Sequence, residues 1–297
     1  MGNTNGLSRS VSVLAAGALA SCYWGGTAPG SAGSPPGDDG NAVGAERPRI
    51  ELRITGSTMN YDIHREAGSP TRPVEIVLRI EPAASVGSTS PARPALTTGA
   101  LPPGSRVAIH NRGRILGAGG PGGAGGNGGS GGNPRPCGRD GGKGGDAIAL
   151  TVDAEVDNRG EILGGGGGGG GSSGCNEAAG GGGGAGSRGG GGGAGATALS
   201  KSEEIAFCGQ DNEYRSGVAG APGDFAEGGA GGTSRSSHGG DGGGLGQPGA
   251  DSRECVPAGG GKGGAAGFAI KRHGYQLTGI ADGPYDTGTG AIRGRVR

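Results

Sequence analysis

The residues best suited to covalent or metal chemistry are the cysteines and histidines. Apart from Cys22, the chain carries four cysteines, Cys137, Cys175, Cys208 and Cys255. The cysteines form no C-x-x-C pair and the four histidines stand at no ligand spacing, so the pattern favours two disulfides over a metal site. Three connectivities are open. Each bond would contribute about 2–4 kcal/mol by lowering the entropy of the unfolded chain, which is unusually high in a glycine-rich sequence.

The lysines within glycine runs do not form a phosphate-binding loop. Lys143 and Lys262 each stand in Gly-Gly-Lys-Gly-Gly, whereas such a loop needs an earlier glycine and a serine or threonine after the lysine. We interpret both as solvated spacers. With no catalytic constellation elsewhere, the sequence predicts a protein that is not an enzyme and has no cofactor or metal. The charges balance at 26 basic and 26 acidic residues, which gives no support to nucleic-acid binding.

The N-terminal residues are typical of an export signal. Arg9 precedes the apolar stretch Val11 to Ala20, and Leu19-Ala20-Ser21-Cys22 follows the pattern of the bacterial lipobox. About ten apolar residues are too few to span a membrane as a mature helix. The ending predicts acylation of Cys22, with palmitate as a typical acyl group, and anchoring to the outer membrane. An ordinary signal peptide with a chance cysteine is the alternative.

Glycine (81) and proline (18) make up a third of the 297 residues, so large apolar residues are too few for a conventional core. Within Gly117 to Asn133 every third residue is not glycine, a period that neither an α-helix nor a strand has. A left-handed polyproline-II-type helix has about three residues per turn. The stretch therefore predicts a glycine helix with two bare edges, able to bond to neighbours like itself, and we expect its side-chain edge to face outward.

A repeat leads into the glycine runs. The pattern N-R-G-x-I-L-G begins at Asn111 and again at Asn158, and each copy passes directly into glycine. We interpret both copies as strand, tight turn and short strand, with turns at Asn111 and Gly113 and at Asn158 and Gly160, residue types that tolerate positive φ. Repeated units of this kind are expected to stack.

These patterns predict a mostly β and irregular fold with little α-helix, in which a small β unit caps a bundle of polyglycine-II-like left-handed helices. A lone glycine helix cannot hold its shape, because fixing a backbone costs about 1–2 kcal/mol per residue and a hydrogen bond returns about 0.5–1.5. A bundle with several neighbours for each helix can. The predicted divisions are a signal peptide at 1–21, a tether at 22–45, the β unit at 46–116, the glycine-rich body at 117–264 and closing strands at 265–297.

The order of these motifs resembles the glycine-rich domains of tailed-phage tail-fibre and tail-tip adhesins. In the family a strand pair and N-x-G-x-I-x-G lead into GGX repeats, and a second N-x-G-x-I-x-G leads into oligoglycine. The segment Tyr61 to Gly99, with AGSP and PALTTG, is similar as well, and the likeness runs to Gly279. The resemblance implies bundled polyglycine-II helices with receptor-contacting loops at one end. The lipobox fits a bacterial surface lipoprotein that carries this module better than a virion fibre.

The resulting hypothesis is a non-enzymatic, surface-exposed lipoprotein that binds a cell-surface protein or glycan through polar inserts of a glycine bundle. The candidate contact loops are Asn133 to Arg139, Glu203 to Arg215 and Thr233 to His238. The alternative is a structural spacer or envelope coat protein without a specific ligand.

Overall fold

Alternating apolar and polar residues form the strands. Three successive strands make one turn of a coil, and the turns repeat along the chain. The structure is a computed structural model that describes residues 47–126, 138–172, 178–195, 218–234, 237–253, 260–280, 283–287 and 292–297, all within the unit Glu46–Arg297. These residues are mostly β or irregular, with a single four-residue helix, α1 (Ile63–Glu66), among them. The mostly-β prediction is confirmed.

The strands follow one another in chain order. The first turn holds β1 (Arg49–Ile54), β2 (Ser57–Met59) and β3 (Tyr61–Asp62), and the second holds β4 (Glu75–Ile80), β5 (Ser85–Gly87) and β6 (Leu96–Thr97). The third holds β7 (Arg106–Asn111), β8 (Arg114–Leu116) and β9 (Ile148–Ala149), and the fourth holds β10 (Ala154–Asn158), β11 (Glu161–Leu163) and β12 (Phe268–Lys271). The strands β13 (Leu277–Thr278), β14 (Gly283–Thr287) and β15 (Ile292–Val296) end the series. We call β1–β15 the strand solenoid.

Equivalent strands of successive turns pair in parallel. One sheet has the order β1-β4-β7-β10-β13. The other has the order β2-β5-β8-β11-β15-β12-β9-β6-β3, with β14 antiparallel to β15. Because β15 pairs with both β11 and β12, it joins the second and third sides of the solenoid.

Inward-facing aliphatic side chains fill the solenoid. The register brings like residues together, as where Ile162 lies between Ile115 and Ile292. The core also includes Ile76, Leu78, Ile109, Ile148, Val156 and Ile270, none of which has exposed surface. Full burial of one such side chain is worth about 1.5–3 kcal/mol, so the few large apolar residues are concentrated here.

The glycine-rich segments leave the strand solenoid at the same corner in two of its turns, the third and the fourth. The chain departs after β8 at Gly117 and returns at β9, and it departs after β11 at Gly164 and returns at β12. We call the described residues 117–126, 138–147, 164–172, 178–195, 218–234, 237–253 and 260–267 the glycine body. Strands β9, β10 and β11 lie within 117–264, the range predicted to be glycine-rich, yet they belong to the same sheets as the strands of 46–116.

Backbone hydrogen bonds join the segments of the glycine body at every third residue. The N–H groups of Gly120 and Gly123 donate to the carbonyl oxygens of Gly166 and Gly169, both at 2.8 Å. The segment 164–172 divides into three such sets of residues. Apart from the Gly164 N–H, which donates to Arg293 of β15 (2.9 Å), each set donates to one neighbouring segment and accepts from another. Its neighbours are therefore six: 117–126, 138–145, 179–185, 240–246, 247–250 and 261–267.

A second segment, 179–187, has the same surroundings. Its hydrogen bonds reach 117–123, 166–172, 190–193, 218–224, 229–232 and 240–243. These two enclosed segments contain the oligoglycine runs Gly164–Gly171 and Gly180–Gly184. Within these oligoglycine runs every edge faces a neighbouring backbone, so a side chain has no room there; the buried side chains Ser172, Ala179 and Ala185 lie just outside the runs.

The spacing between backbones explains the glycine content. A Cβ at Gly168 would lie 1.9 Å from the carbonyl oxygen of Pro121, and one at Gly169 would lie 1.9 Å from that of Gly240. On the outer segment 117–126, the non-glycine residues lie at different depths. Ala118 is buried, Ala124 is half-buried and Pro121 is exposed, so the side-chain edge faces outward only in part.

Candidate binding end of the glycine body

The segments of the glycine body converge at the end remote from the strand solenoid, which we call the distal end. Gly126 donates its N–H to the Ser172 carbonyl (2.9 Å), and Ser172 donates to the Ala179 carbonyl (2.8 Å). Gly171 donates to the Arg139 carbonyl and accepts from Gly261, both at 2.9 Å. These hydrogen bonds bring five segments of the glycine body, 117–126, 138–147, 164–172, 178–195 and 260–267, to one place.

Described residues of two of the three predicted contact loops lie there. The described residues of the first are Gly138 and Arg139, and Glu203 to Arg215 lies outside the described residues. In the third, Thr233 and His238 form an antiparallel bridge. Ser237 is buried and its N–H donates to the Ser234 hydroxyl (3.2 Å).

A polar pocket of about 250 Å³ lies at the distal end, beside this bridge. The Asp241 carboxylate accepts the Gly231 N–H (2.8 Å), and the Asp251 carboxylate accepts the Gly263 N–H (2.8 Å). The main chain thus holds one oxygen of each carboxylate. The remaining lining is mostly polar or backbone, with Thr233, His238, Arg253, Ala250 and the glycines 231, 239 and 240.

The arrangement suits recognition of a polar group. Carboxylates, a guanidinium group and an imidazole present donors and acceptors of both signs on a rigid backbone frame. The sequence reasoning did not single out Asp241, Asp251 or Arg253. The signal available for the first was an aspartate inside a glycine run, Gly-Gly-Asp-Gly-Gly at 239–243, where an outward edge is the only place for a side chain.

The predicted repeat turns lie in the strand solenoid, far along the chain from this pocket. Asn111 is fully buried and donates from Nδ2 to the Asn158 Oδ1 (2.7 Å) and to the Glu161 carbonyl (3.1 Å). Its own Oδ1 accepts the Gly113 N–H (3.1 Å), and the Gly160 N–H donates to Asn158 in the same way (3.3 Å). The two copies form a ladder of asparagines, which is a structural role.

Glycine is needed in these turns for space and not for a left-handed backbone. None of the four turn residues has the positive φ that the sequence suggested. A Cβ at Gly113 would lie 2.3 Å from the Ala84 carbonyl oxygen, and one at Gly160 would lie 2.0 Å from that of Gly113. Successive turns of the solenoid are therefore in backbone contact at this corner.

The other predicted site residues fall outside the described chain. Cys22, Cys137, Cys175, Cys208 and Cys255 all do so, and neither the lipid nor the disulfide prediction is tested. Among the described residues there is no group of three or more histidine, cysteine, aspartate or glutamate side chains able to hold a metal ion. The same residues include no helix with the length and apolar character needed to cross a membrane.

Comparison with known proteins identifies the family. Among solved structures, the chain is similar to one described as "Crystal structure of the gp37-gp38 adhesin tip complex of the bacteriophage S16 long tail fiber", with 23% identity and a TM-score of 0.47 over 83% of this chain and 82% of that one. The comparison with curated proteins finds no match. A family model described as "Phage tail fibre adhesin Gp38" matches residues 49–297. Because this match spans most of the sequence, the chain belongs to the Gp38 family of phage tail fibre adhesins.

Proposed function

We propose that the protein is an adhesin whose distal end binds a protein or glycan on a cell surface. The observation that carries this is the convergence of the described segments at the end remote from the strand solenoid, where described residues of two predicted contact loops also lie. Family membership supports an adhesive role. Binding residues are often carried by loops that a rigid scaffold positions.

We also propose that the segments of the glycine body are polyglycine-II helices. Their hydrogen bonds recur every third residue, as three residues per turn require. Six neighbours around 164–172 and around 179–187 are what hexagonal packing of such helices provides. Circular dichroism of the purified protein tests this proposal, since a coil spectrum without a cooperative thermal transition would refute it.

The polar pocket offers a direct test of the binding role. The double variant Asp241→Asn with Asp251→Asn keeps the oxygens that accept the backbone N–H groups and removes both charges. We expect at least tenfold weaker binding of the purified protein to bacterial cells, because a hydrogen bond to a charged group is worth about 1.5–3 kcal/mol. The measurement is cell binding by flow cytometry across a panel of strains.

The matched control is Asp224→Asn. Asp224 also accepts backbone N–H groups, from Ala226 and Glu227 at 2.7 Å each, but it lies at the end of the glycine body next to the strand solenoid. We expect this variant to bind cells normally. Exchange of the loop segments 133–139 and 203–215 for glycine-serine sequences extends the test. Unchanged adhesion after both sets of changes would refute the binding role and leave the spacer or coat function.

We propose in addition that Cys22 carries lipid and displays the adhesin on a bacterial outer membrane. The lipobox-like ending supports this. Metabolic labelling with palmitate should mark the wild type and not Cys22→Ser, and the label should fractionate with outer membranes. An unlabelled wild type would refute the anchor without affecting the proposed binding role.

A further inference from the structure

A second cleft lies at the other end of the glycine body, where it meets the strand solenoid. We call it the junction cleft. Its volume is about 650 Å³, within the range of about 300–1,000 Å³ typical of small-molecule sites. Leu245 and Pro248 form one wall, Ala265 and Ala266 another, and Phe268 of β12 lies beside them. The cleft is thus mainly apolar.

The backbone holds the walls of the junction cleft in place. Gly246, at φ +71°, donates its N–H to the Gly164 carbonyl (2.7 Å). It packs so closely on β15 that a Cβ there would lie 2.5 Å from the Arg293 carbonyl carbon. Opposite, Gly267 donates to the Gly165 carbonyl (2.8 Å). Both walls are therefore anchored to the enclosed segment 164–172, and the cleft does not depend on a ligand to form.

Cationic side chains border this apolar surface. Arg295 of β15 is exposed and is in register with Phe268 of β12. The Lys143 Nζ lies 4.6 Å from the centre of the Phe268 ring and 2.9 Å from the Asp146 carboxylate. Arg293 also lines the cleft, and none of the described lining residues is acidic. Asp146 offsets the charge of Lys143, and the exposed guanidinium of Arg295 keeps the border of the cleft cationic.

We propose that the junction cleft binds a fatty-acid anion. The alkyl chain would lie against Leu245, Pro248 and Phe268, and the carboxylate would bind Arg295 and Lys143. An apolar trough with the Arg295 guanidinium at its edge matches both halves of such a ligand, whereas a neutral lipid would supply no anion for Arg295. The site is separate from the distal end, so this inference does not depend on the proposed adhesive function.

Calorimetric titration of the full chain with sodium decanoate tests the proposal. We expect saturable binding, with decanol at least tenfold weaker because it lacks the charge that Arg295 recognises. Arg295→Gln should weaken decanoate binding about tenfold. Ala266→Phe should abolish it by filling the cleft. The control Arg106→Gln removes an exposed arginine on β7, away from the cleft, and should leave the affinity unchanged.

The outcomes separate clearly. Equal affinity for decanol and decanoate, or decanoate binding unchanged in both Arg295→Gln and Ala266→Phe, would overturn the proposal. So would the absence of binding at millimolar decanoate. Arg295 is on the surface, so its substitution is not expected to prevent folding even if Ala266→Phe does. Thermal unfolding of each variant verifies this.

Discussion

The most direct test of the enclosed packing is the substitution Gly168→Ala. The added Cβ would lie 1.9 Å from the Pro121 carbonyl oxygen, where ordinary contact begins at 3.4 Å. The two backbones must therefore separate by about 1.5 Å, a figure that follows from these two distances. Neither atom belongs to a flexible side chain, so no rotamer change can relieve the overlap.

The cost follows from the hydrogen bonds that such a separation breaks. Two hydrogen bonds flank the point of overlap and join the two separating segments: the Gly120 N–H donates to the Gly166 carbonyl and the Gly123 N–H to the Gly169 carbonyl, both at 2.8 Å. Each buried amide left unpaired costs about 1–3 kcal/mol. With two lost, the free energy of unfolding falls by about 2–6 kcal/mol. At about 2–4 °C per kcal/mol, the midpoint of thermal unfolding falls by about 10 °C.

The matched control is Gly191→Ala. A Cβ at Gly191 would meet nothing within 4 Å, and its φ is not in the left-handed region. Here alanine only restricts the unfolded chain, and we expect a gain of about 0.4–1 kcal/mol. Thermal unfolding followed by circular dichroism measures both variants. Equal midpoints for Gly168→Ala and Gly191→Ala would refute the enclosure of segment 164–172 by six neighbours.

Three further predictions concern the strand solenoid and its attachment to the glycine body. Asn111→Ala should lower the free energy of unfolding by about 1–3 kcal/mol in urea titration, because it leaves the buried Gly113 N–H without its acceptor. Ser187→Ala should cost about 1–3 kcal/mol in the same assay, since the buried Ser88 donates its N–H to the Ser187 hydroxyl (2.8 Å); an unchanged midpoint would show that this contact does not help to join the two parts. Burial and the nearby Glu66 carboxylate raise the pKa of Tyr61 above its ordinary value of 10.0. The neutral phenol therefore stabilises the folded state fully below pH 10, and this stabilisation is lost as pH rises through the higher folded pKa. Tyr61→Phe should accordingly remove part of the alkaline decline in unfolding free energy, and an identical decline in both proteins would contradict this.

Local patterns were sufficient to predict the main strands and the repeat. The alternation in Glu75–Ile80 and in Arg106–Asn111 predicted strands that the structure contains. The two N-R-G-x-I-L-G copies do stack, with Asn158 directly in register with Asn111. The longest oligoglycine runs, Gly164–Gly171 and Gly180–Gly184, carried an unused signal, since only an enclosed segment needs glycine on every edge.

The alternation of the strand solenoid with the glycine body along the chain could not be predicted from local patterns. Strand β9 has two residues and β12 has four, and they pair with each other across more than a hundred residues of glycine-rich sequence. Periodicity reports only on neighbours along the chain, so such short strands carry too little pattern to reveal a distant partner. The polar pocket was equally hidden from local patterns, because Asp241 and Asp251 become neighbours only when separate segments pack together.

The side chains at every third position set the register of the glycine body. A slip of one residue along a three-residue period turns a segment by about a third of a turn. In 117–126 that slip would move Pro121 from the exposed edge onto an edge where the next backbone leaves no space for a Cβ. A slip of three residues would return each side chain to its original edge. It would, however, leave terminal hydrogen bonds such as Gly126 to Ser172 unmade and displace the segment from β8. The position of the distal end relative to the strand solenoid is therefore determined by steric exclusion as well as by hydrogen bonding.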